Sequence, residues 1–221
     1  MMQDTNKNIA KGNQLWLVTL FAVALFTIMF IFKQAGGFDF WYWMSSNLVI
    51  LLSLVFILDH SNGLEIRNDL KDGLLRKVVM GIVAAVSLFI VFYVGNILIR
   101  YIFEQAGQGI ENVYAFKQEA SPLRIALLML IIIGPGEELF WRGYLQRKLG
   151  LRFGKMNGFI FATALYTIVH VATGNLVLVL AALICGIFWG WLYMRYRSMT
   201  INIISHTVWD VGVFILLPFT A

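Results

Sequence analysis

Two adjacent carboxylates and an arginine follow one of the most apolar stretches of this sequence. Residues 127–133 are all apolar, Glu137 and Glu138 follow them after Gly-Pro-Gly, and Arg142 comes four residues after Glu138. A carboxylate is costly to place in hydrocarbon, so one that is found there usually serves a function. If the chain crosses a membrane at this point, both glutamates are candidates for chemistry.

Further polar side chains fall within the later apolar segments, and they are spaced four residues apart. Residues at this spacing lie on the same face of a helix. The pairs are Glu138 with Arg142, Tyr166 with His170, and His206 with Asp210.

Helical phase gives the two adjacent glutamates different surroundings. Glu138 precedes Arg142 in the order that favours an ion pair on one helix, and this pair can be purely structural. Glu137 lies about a quarter-turn away on the helix and lacks that partner. A poorly solvated glutamate is suited to take a proton from water. We therefore expect Glu137 to be the general base, with Glu138 and Arg142 supporting it.

Composition predicts a membrane protein. The chain has 221 residues, of which 60% are apolar and only 13% are charged, and this leaves long uncharged runs. The net charge of +5 does not indicate nucleic-acid binding, because the basic residues flank apolar segments and form no stripe. The single Cys185 excludes an internal disulfide and is interpreted as a packing residue.

The hydrophobic pattern predicts an all-α polytopic membrane protein with about seven transmembrane helices. The segment 59–77 between the second and third spans is charged and is predicted to lie on the membrane surface, with His60 as a solvated loop residue. We interpret 1–221 as one transmembrane domain, with N-terminal spans and connections in 1–122 and a core that carries the motifs in 123–212. The predicted spans are 15–32, 41–58, 78–99, 122 onward through the two glutamates with a kink at Pro135, 159–172, 176–194 and 200–217.

The distribution of lysine and arginine orients these spans. Thirteen of these residues fall on one set of connecting segments, and four fall on the other, namely Lys33, Arg100, Lys117 and Arg124. Basic residues are enriched on the cytoplasmic side of a membrane. We therefore expect a cytoplasmic N-terminus, in the cell membrane if the protein is bacterial. We also expect a site that is accessible from the cytoplasmic side.

The polar side chains of three spans are predicted to lie at compatible depths. At about 1.5 Å per residue, they are roughly 14–22 Å along the helix from the nearest basic residues. This places them near the middle of a hydrocarbon core that is about 30 Å thick. One cavity can therefore be surrounded by Glu137, His170, His206 and Asp210.

Such a set of residues fits two kinds of hydrolysis. In one, Glu137 activates water while the histidines polarise a carbonyl and stabilise the oxyanion, with no covalent intermediate. In the other, a zinc ion activates the water, and its candidate ligands are His170, His206, Asp210 and Glu137. No His-Glu-x-x-His helix is present, so the spacing does not establish a metal. Two alternatives without hydrolysis also stay open, a scaffold with structural polar pairs and the proton relay of a transporter.

Taken together, the three motifs resemble the CPBP family, also called Abi or CAAX-protease-and-bacteriocin-processing proteins. Members are similar to the type II CAAX prenyl endopeptidases, intramembrane proteases that are often named metalloproteases. The resemblance covers about residues 123–212 and implies cleavage of membrane-bound or lipidated peptides, or in bacteria the processing of peptide pheromones and bacteriocins or immunity to them. The motifs are Glu137-Glu138-x-x-x-Arg142-Gly143, Tyr166-x-x-x-His170 and His206-x-x-x-Asp210.

The resemblance also implies a role for each motif residue. Glu137 would activate the water with His170, Glu138 and Arg142 would support the site, and His206 and Asp210 would line the oxyanion side.

Two positions depart from the commonest family pattern. Tyr166 stands where phenylalanine is usual and adds a hydroxyl near His170. Asp210 stands where asparagine is common, and an ionised aspartate cannot donate a hydrogen bond to an oxyanion. Asp210 must therefore be protonated, bind a cation or orient His206, and its presence slightly favours the metal alternative. The sequence does not indicate the oligomeric state or the substrate.

Overall fold

The computed structural model describes residues 2–34, 36–59, 61–117 and 120–219, and within them every side chain except those of 2–12 and 61–65. The described part of the chain is 87% helical and contains no strand. This confirms the prediction of an all-α membrane protein. His60, predicted to be a solvated loop residue, lies outside the described residues.

The helices follow one another with short connections. The motif segment is one unbroken helical run that contains three α-helical pieces separated by two π-helical stretches, Met129–Ile133 and Leu139–Gln146. A third π-helical stretch, Gly212–Leu216, extends the last helix. The helices are α1 (Met2–Phe32), α2 (Phe40–Leu58), α3 (Ser61–Lys71), α4 (Leu74–Ile102), α5 (Ala106–Ala115), α6 (Pro122–Leu128), α7 (Gly134–Glu138), α8 (Arg147–Phe153), α9 (Lys155–Val171), α10 (Leu176–Tyr196) and α11 (Met199–Val211).

In the described part of the chain, five helical segments are long and apolar enough to cross a membrane. They are Asn13–Phe32 of α1, then α2, α4 and α10, and Met199–Leu216 of α11 with its extension. The other two predicted spans correspond to the run from α6 to α8 and to the 17-residue α9, which are helical but do not belong to these five. The count of seven and the side of the N-terminus stay predictions.

The motif segment begins where its sequence predicts, and the predicted kink at Pro135 stays a prediction. Ser121 caps α6, because its side chain accepts a hydrogen bond from the backbone of Arg124, and Pro122 occupies the first turn. Pro135 lies in α7, between the two π-helical stretches. Proline removes one backbone hydrogen bond, and the wide π-helical turns alter the direction in which the neighbouring side chains project.

Glycines allow the helices that carry the motifs to approach closely. A Cβ at Gly134 would lie 2.7 Å from Oγ1 of Thr207, so this glycine lets α7 pack directly against α11. On α10, a Cβ would lie 3.1 Å from Thr163 at Gly186 and 2.8 Å from Phe159 at Gly190. The small-xxx-small pair Gly186 and Gly190 therefore packs α10 against α9, as its spacing predicts.

The start of α11 is held by a residue from a different helix. Asp69 of α3 accepts hydrogen bonds from the Ser198 hydroxyl at 3.0 Å and from the backbone nitrogen of Thr200 at 2.8 Å. Its carboxylate also accepts from the Thr200 hydroxyl at 2.7 Å and pairs with Lys77 at 2.8 Å. The charged segment between α2 and α4 thus positions the helix that carries His206 and Asp210.

Candidate active site

Five of the side chains identified in the sequence line one cavity of about 340 Å³. Its other walls are almost entirely apolar. Each of the four ionisable side chains is at least nine-tenths buried. The five residues are Glu137, Tyr166, His170, His206 and Asp210.

Glu138 lies behind this cavity and is fully buried. Its Oε1 accepts hydrogen bonds from Nη1 of Arg142 and from Nδ1 of His206, both at 2.8 Å. Its Oε2 accepts from Nδ2 of Asn202, also at 2.8 Å. A buried carboxylate is tolerated when it is paired and hydrogen-bonded in this way. The predicted ion pair between Glu138 and Arg142 is therefore present, and Glu138 also holds a histidine.

The ring of His206 is fixed on several sides. Because a carboxylate only accepts hydrogen bonds, Nδ1 of His206 donates to Glu138, and Nε2 is the nitrogen on the side of Asp210. Nε2 lies 3.4 Å from Oδ2 of Asp210. The Trp189 indole stacks on the imidazole, with ring centroids 3.6 Å apart and an interplanar angle of 15°. His206 therefore has little freedom to rotate.

Glu137 has a different environment from its neighbour. Its Oε2 accepts a hydrogen bond from the hydroxyl of Tyr166 at 2.9 Å. The Tyr166 ring packs between Trp141 and His170, with centroid distances of 5.3 and 4.9 Å. The hydroxyl that distinguishes Tyr166 from phenylalanine thus contacts the expected general base.

The orientation of His170 is set by its own helix. Nδ1 of its ring lies 2.7 Å from the backbone oxygen of Tyr166, one turn earlier. A carbonyl oxygen can only accept, so Nδ1 carries the proton and Nε2 keeps its lone pair. Phe30 of α1 packs against the imidazole with a centroid distance of 4.8 Å. Helix α1, outside the motif segment, therefore also shapes the site.

The geometry does not fit a zinc site. Among the described residues, no group of three or more histidine, cysteine, aspartate or glutamate side chains is arranged to hold a metal ion. Nδ1 of each histidine is bonded, to Glu138 for His206 and to the Tyr166 backbone for His170, which leaves Nε2 of both rings as the only nitrogen that could bind a metal. A catalytic zinc ion needs three converging protein ligands. The proposed metal ligands therefore share a cavity without forming a coordination site.

Two residues of this arrangement were missed in the sequence. Asn202 bridges Glu138 and the backbone oxygen of Trp189, with distances of 2.8 and 2.9 Å. It precedes His206 by four residues, so the spacing that identified Asp210 on one side of His206 could have identified Asn202 on the other. Trp189 had no such indication, because its contact with His206 joins two different helices.

Comparison with known proteins identifies the segment that carries these residues. Residues 119–212 match the family described as type II CAAX prenyl endopeptidase Rce1-like. The matched segment contains all three motifs and runs from before α6 to the end of α11. No curated protein and no solved structure matches the chain. Through residues 119–212, the segment that carries all three motifs, this membrane protein is similar to the type II CAAX prenyl endopeptidase Rce1-like family.

Proposed function

We propose that this protein is an intramembrane endopeptidase that hydrolyses membrane-associated or lipidated peptides. The proposal rests mainly on the different environments of the two glutamates. Glu138 is committed to Arg142 and His206, whereas Glu137 lines a buried, mostly apolar cavity together with both motif histidines. The family match supports an endopeptidase, and the five apolar helices support a location in the membrane.

In this mechanism Glu137 takes a proton from a water molecule, and the resulting hydroxide adds to the carbonyl carbon of the scissile peptide bond. The Tyr166 hydroxyl orients the carboxylate of Glu137. His170 Nε2 accepts a hydrogen bond from the same water and fixes its position. Glu137 then gives the proton to the leaving amine as the carbon–nitrogen bond breaks, so no covalent intermediate forms.

His206, protonated on both ring nitrogens between the carboxylates of Glu138 and Asp210, donates a hydrogen bond from Nε2 and so stabilises the negative charge that develops on the carbonyl oxygen. Its Nε2 side faces the cavity next to Asp210, and Glu138 and Trp189 hold its ring in place. A fixed donor aimed at a developing oxyanion is typically among the largest contributions to catalysis. Asp210, one of the residues that depart from the family pattern, acts as a positioning residue through His206, because an ionised carboxylate cannot itself donate.

We derive no step through a metal ion, because the candidate ligands do not converge on one point. The mechanism above uses only protein groups and water. Cleavage should therefore persist after dialysis of the purified protein against a chelator, and His170→Ala and His206→Ala should not change its metal content. Stoichiometric zinc that is lost in both variants would overturn the metal-free mechanism.

The main test is cleavage of a quenched-fluorescence library of amphipathic peptides, with and without an isoprenyl group, by the protein in liposomes. Glu137→Gln removes the base while keeping size and the ability to accept from Tyr166, so the rate should fall by about 10²–10⁴. Glu111→Gln is the matched control, since Glu111 is exposed and lines neither described cavity. The thermal unfolding of both variants should stay close to that of the wild type.

Three results would contradict the proposal in different ways. Full activity of Glu137→Gln would show that another group activates the water. No cleavage by the wild type, with tolerance of Glu137→Gln and His206→Ala in a cellular phenotype, would point to a scaffold or a bacteriocin-immunity protein. Solute movement in liposomes without any cleaved product would point to a transporter.

A further inference from the structure

A second and larger cavity, of about 750 Å³, adjoins the active-site cavity. We propose that this cavity is the entry vestibule for the peptide substrate and that it opens on the face of the protein opposite the basic segments. The inference rests on the proposed function. It adds the route by which the substrate reaches the active site and the side of the membrane from which it enters. Five residues line both cavities, namely Phe40, Ile99, Phe116, Val177 and Leu178.

The walls of the vestibule come from one end of the helical bundle. They include Lys33 and Gln34 after α1, helix α5 after α4, and the turn 173–175 after α9. Among the described residues, no residue of 59–77, 142–157 or 195–199 lines either cavity. Those segments connect the helices at the other end, where Asp59 pairs with Arg147 and Lys148 at 2.5 and 2.8 Å. The active-site cavity is thus approached from a single end.

The position of His170 agrees with an approach from this end. His170 precedes Thr173 of the vestibule by three residues, about 5 Å along a helix axis. Lys155, at the other end of α9, is fifteen residues away, or about 22 Å. One of the two histidines in the site therefore lies next to the vestibule.

The vestibule lies on the side with few basic residues. Its segments belong to the set of connections that carries four of the seventeen lysines and arginines. Because basic residues are enriched in cytoplasmic connections, this set faces away from the cytoplasm. This inference replaces the expectation, drawn from the sequence, that the site is reached from the cytoplasmic side. The substrate would then be an amphipathic peptide at the outer face or the outer juxtamembrane segment of a membrane protein.

The lining of the vestibule fits an extended peptide. Five side-chain amides line it, and that of Asn175 is bonded to the backbone of α5 and α10. An amide both donates and accepts hydrogen bonds, as a peptide backbone does, so a peptide can be bound by the other four, Gln34, Gln105, Gln108 and Asn112. Phenylalanine and valine side chains supply apolar contacts for the side chains of a bound peptide. Among the described residues that line it, only Lys33 is charged.

Helix α5 forms one wall of this vestibule and is held in place by contacts with other helices. Nδ2 of Asn175 donates to the backbone oxygen of Gly109 at 2.7 Å, and Nε1 of Trp41 donates to that of Phe116 at 2.8 Å. A Cβ at Gly109 would lie 2.6 Å from Val177, so α5 and α10 are in close contact. The exposed residues Gln108 and Asn112 lie on the vestibule side of this helix.

The test places single cysteines in a Cys185→Ala background. Asn112→Cys reports on the vestibule, and Asn157→Cys is the matched control, since it is an exposed asparagine at the opposite end of the bundle. A membrane-impermeant maleimide is added to intact bacterial cells that express the full chain. Asn112→Cys should react at once, whereas Asn157→Cys should react only after permeabilisation. Reaction of Asn112→Cys only after permeabilisation would overturn the proposed side of entry.

A second measurement tests the vestibule itself. In a Glu137→Gln background, a synthetic amphipathic peptide should slow the labelling of Asn112→Cys and leave Asn157→Cys unchanged. With Glu137 intact, a bulky maleimide attached at position 112 should slow cleavage about tenfold or more. This is the effect expected if the label raises the Kd of the peptide about tenfold. If the peptide does not slow the labelling of Asn112→Cys, the proposed vestibule is wrong. Protection without any cleavage by the wild type would support the vestibule and overturn only the proposed reaction.

Discussion

The two neighbouring glutamates show how one residue of helical phase gives two side chains different environments. Glu138 receives hydrogen bonds from Arg142, Asn202 and His206, so its charge is balanced and its position is fixed. Glu137 receives one described side-chain hydrogen bond, from Tyr166, and borders the cavity. A buried carboxylate with few partners is the better proton acceptor of the two, and this is why we assign the base to Glu137.

Removing the Tyr166 hydroxyl tests how Glu137 is oriented. A hydrogen bond to a charged group contributes about 1.5 kcal/mol or more, so Tyr166→Phe should lower kcat about tenfold. KM and thermal stability should change little, since the ring contacts with Trp141 and His170 remain. Tyr144→Phe is a suitable control, because Tyr144 is equally buried but does not line the cavity. An unchanged kcat in Tyr166→Phe would remove the tyrosine from the mechanism.

Breaking the ion pair behind the cavity should affect folding more than chemistry. Arg142→Met leaves Glu138 without its cation in a site that is fully buried, and the expected destabilisation is on the order of 3–5 kcal/mol. The double variant Glu138→Gln with Arg142→Met removes both charges and should recover part of this loss. Thermal unfolding in detergent measures both effects. If the destabilisation of the double variant equals the sum of the destabilisations of the two single variants, the pairing is contradicted.

At the scale of elements, α11 depends on a contact from another part of the chain. This helix carries Asn202, His206 and Asp210, and Asp69 of α3 binds its first turn. Burial alone would raise the pKa of Asp69, but hydrogen bonds from Lys77, Thr200 and Ser198 bring it below its ordinary value. A carboxylate at a helix N-terminus is also favoured by the helix dipole. The connection between α2 and α4 therefore stabilises the site from a distance.

This capping predicts a specific dependence of stability on pH. The pKa of Asp69 is lower in the folded than in the unfolded chain, where it is about 3.9. Its contribution is therefore complete above about pH 5 and is lost as the pH falls through the folded-state pKa. The Tm difference between the wild type and Asp69→Asn should be constant from neutral pH to about pH 5 and shrink below about pH 4. Asp72→Asn, at an exposed position three residues later, should show no such change.

At the scale of the whole molecule, the polar site is buried inside a bundle whose outer surface is apolar. Many large aliphatic side chains of α1, α4 and α10 are exposed, as expected for helices that face lipid. The exposed charged side chains are concentrated at the ends of the helices. The same distribution supports both the membrane location and the orientation that we infer for the vestibule.

The predicted number of spans can be tested with a reporter in an internal connection between helices. Seven spans and the five most apolar spans both place the termini on opposite sides of the membrane. They differ in the connections between helices, because only seven spans place residue 152 on the cytoplasmic side. A C-terminal alkaline phosphatase fusion, which is active only outside the cytoplasm, should be active, and a cysteine at Arg152 should be protected in intact cells. Labelling of Arg152→Cys from outside would show that the run α6–α8 does not cross the membrane.

The sequence by itself determined the class of the protein and most of the residues that matter. Long apolar runs leave no alternative to membrane helices, and polar residues inside them are rare enough to be conspicuous. The spacing of four residues then predicted which of them share a helix face, because the period of an α-helix is fixed by its backbone. The separation of Glu137 from Glu138 and the pairing of Glu138 with Arg142 were predicted from that period, and the pair forms although Arg142 lies in a π-helical stretch.

Only the tertiary structure decided what meets between helices. It brought Tyr166 to Glu137, His206 to Glu138 and Trp189 to His206, contacts that depend on helix rotation and on glycines at the crossings. It also brought the candidate zinc ligands into one cavity without arranging three of them to hold a metal ion, and it opened the cavity toward α5. No periodicity within a single helix carries this information, because the packing of one helix on another is set by side-chain shapes from distant parts of the chain.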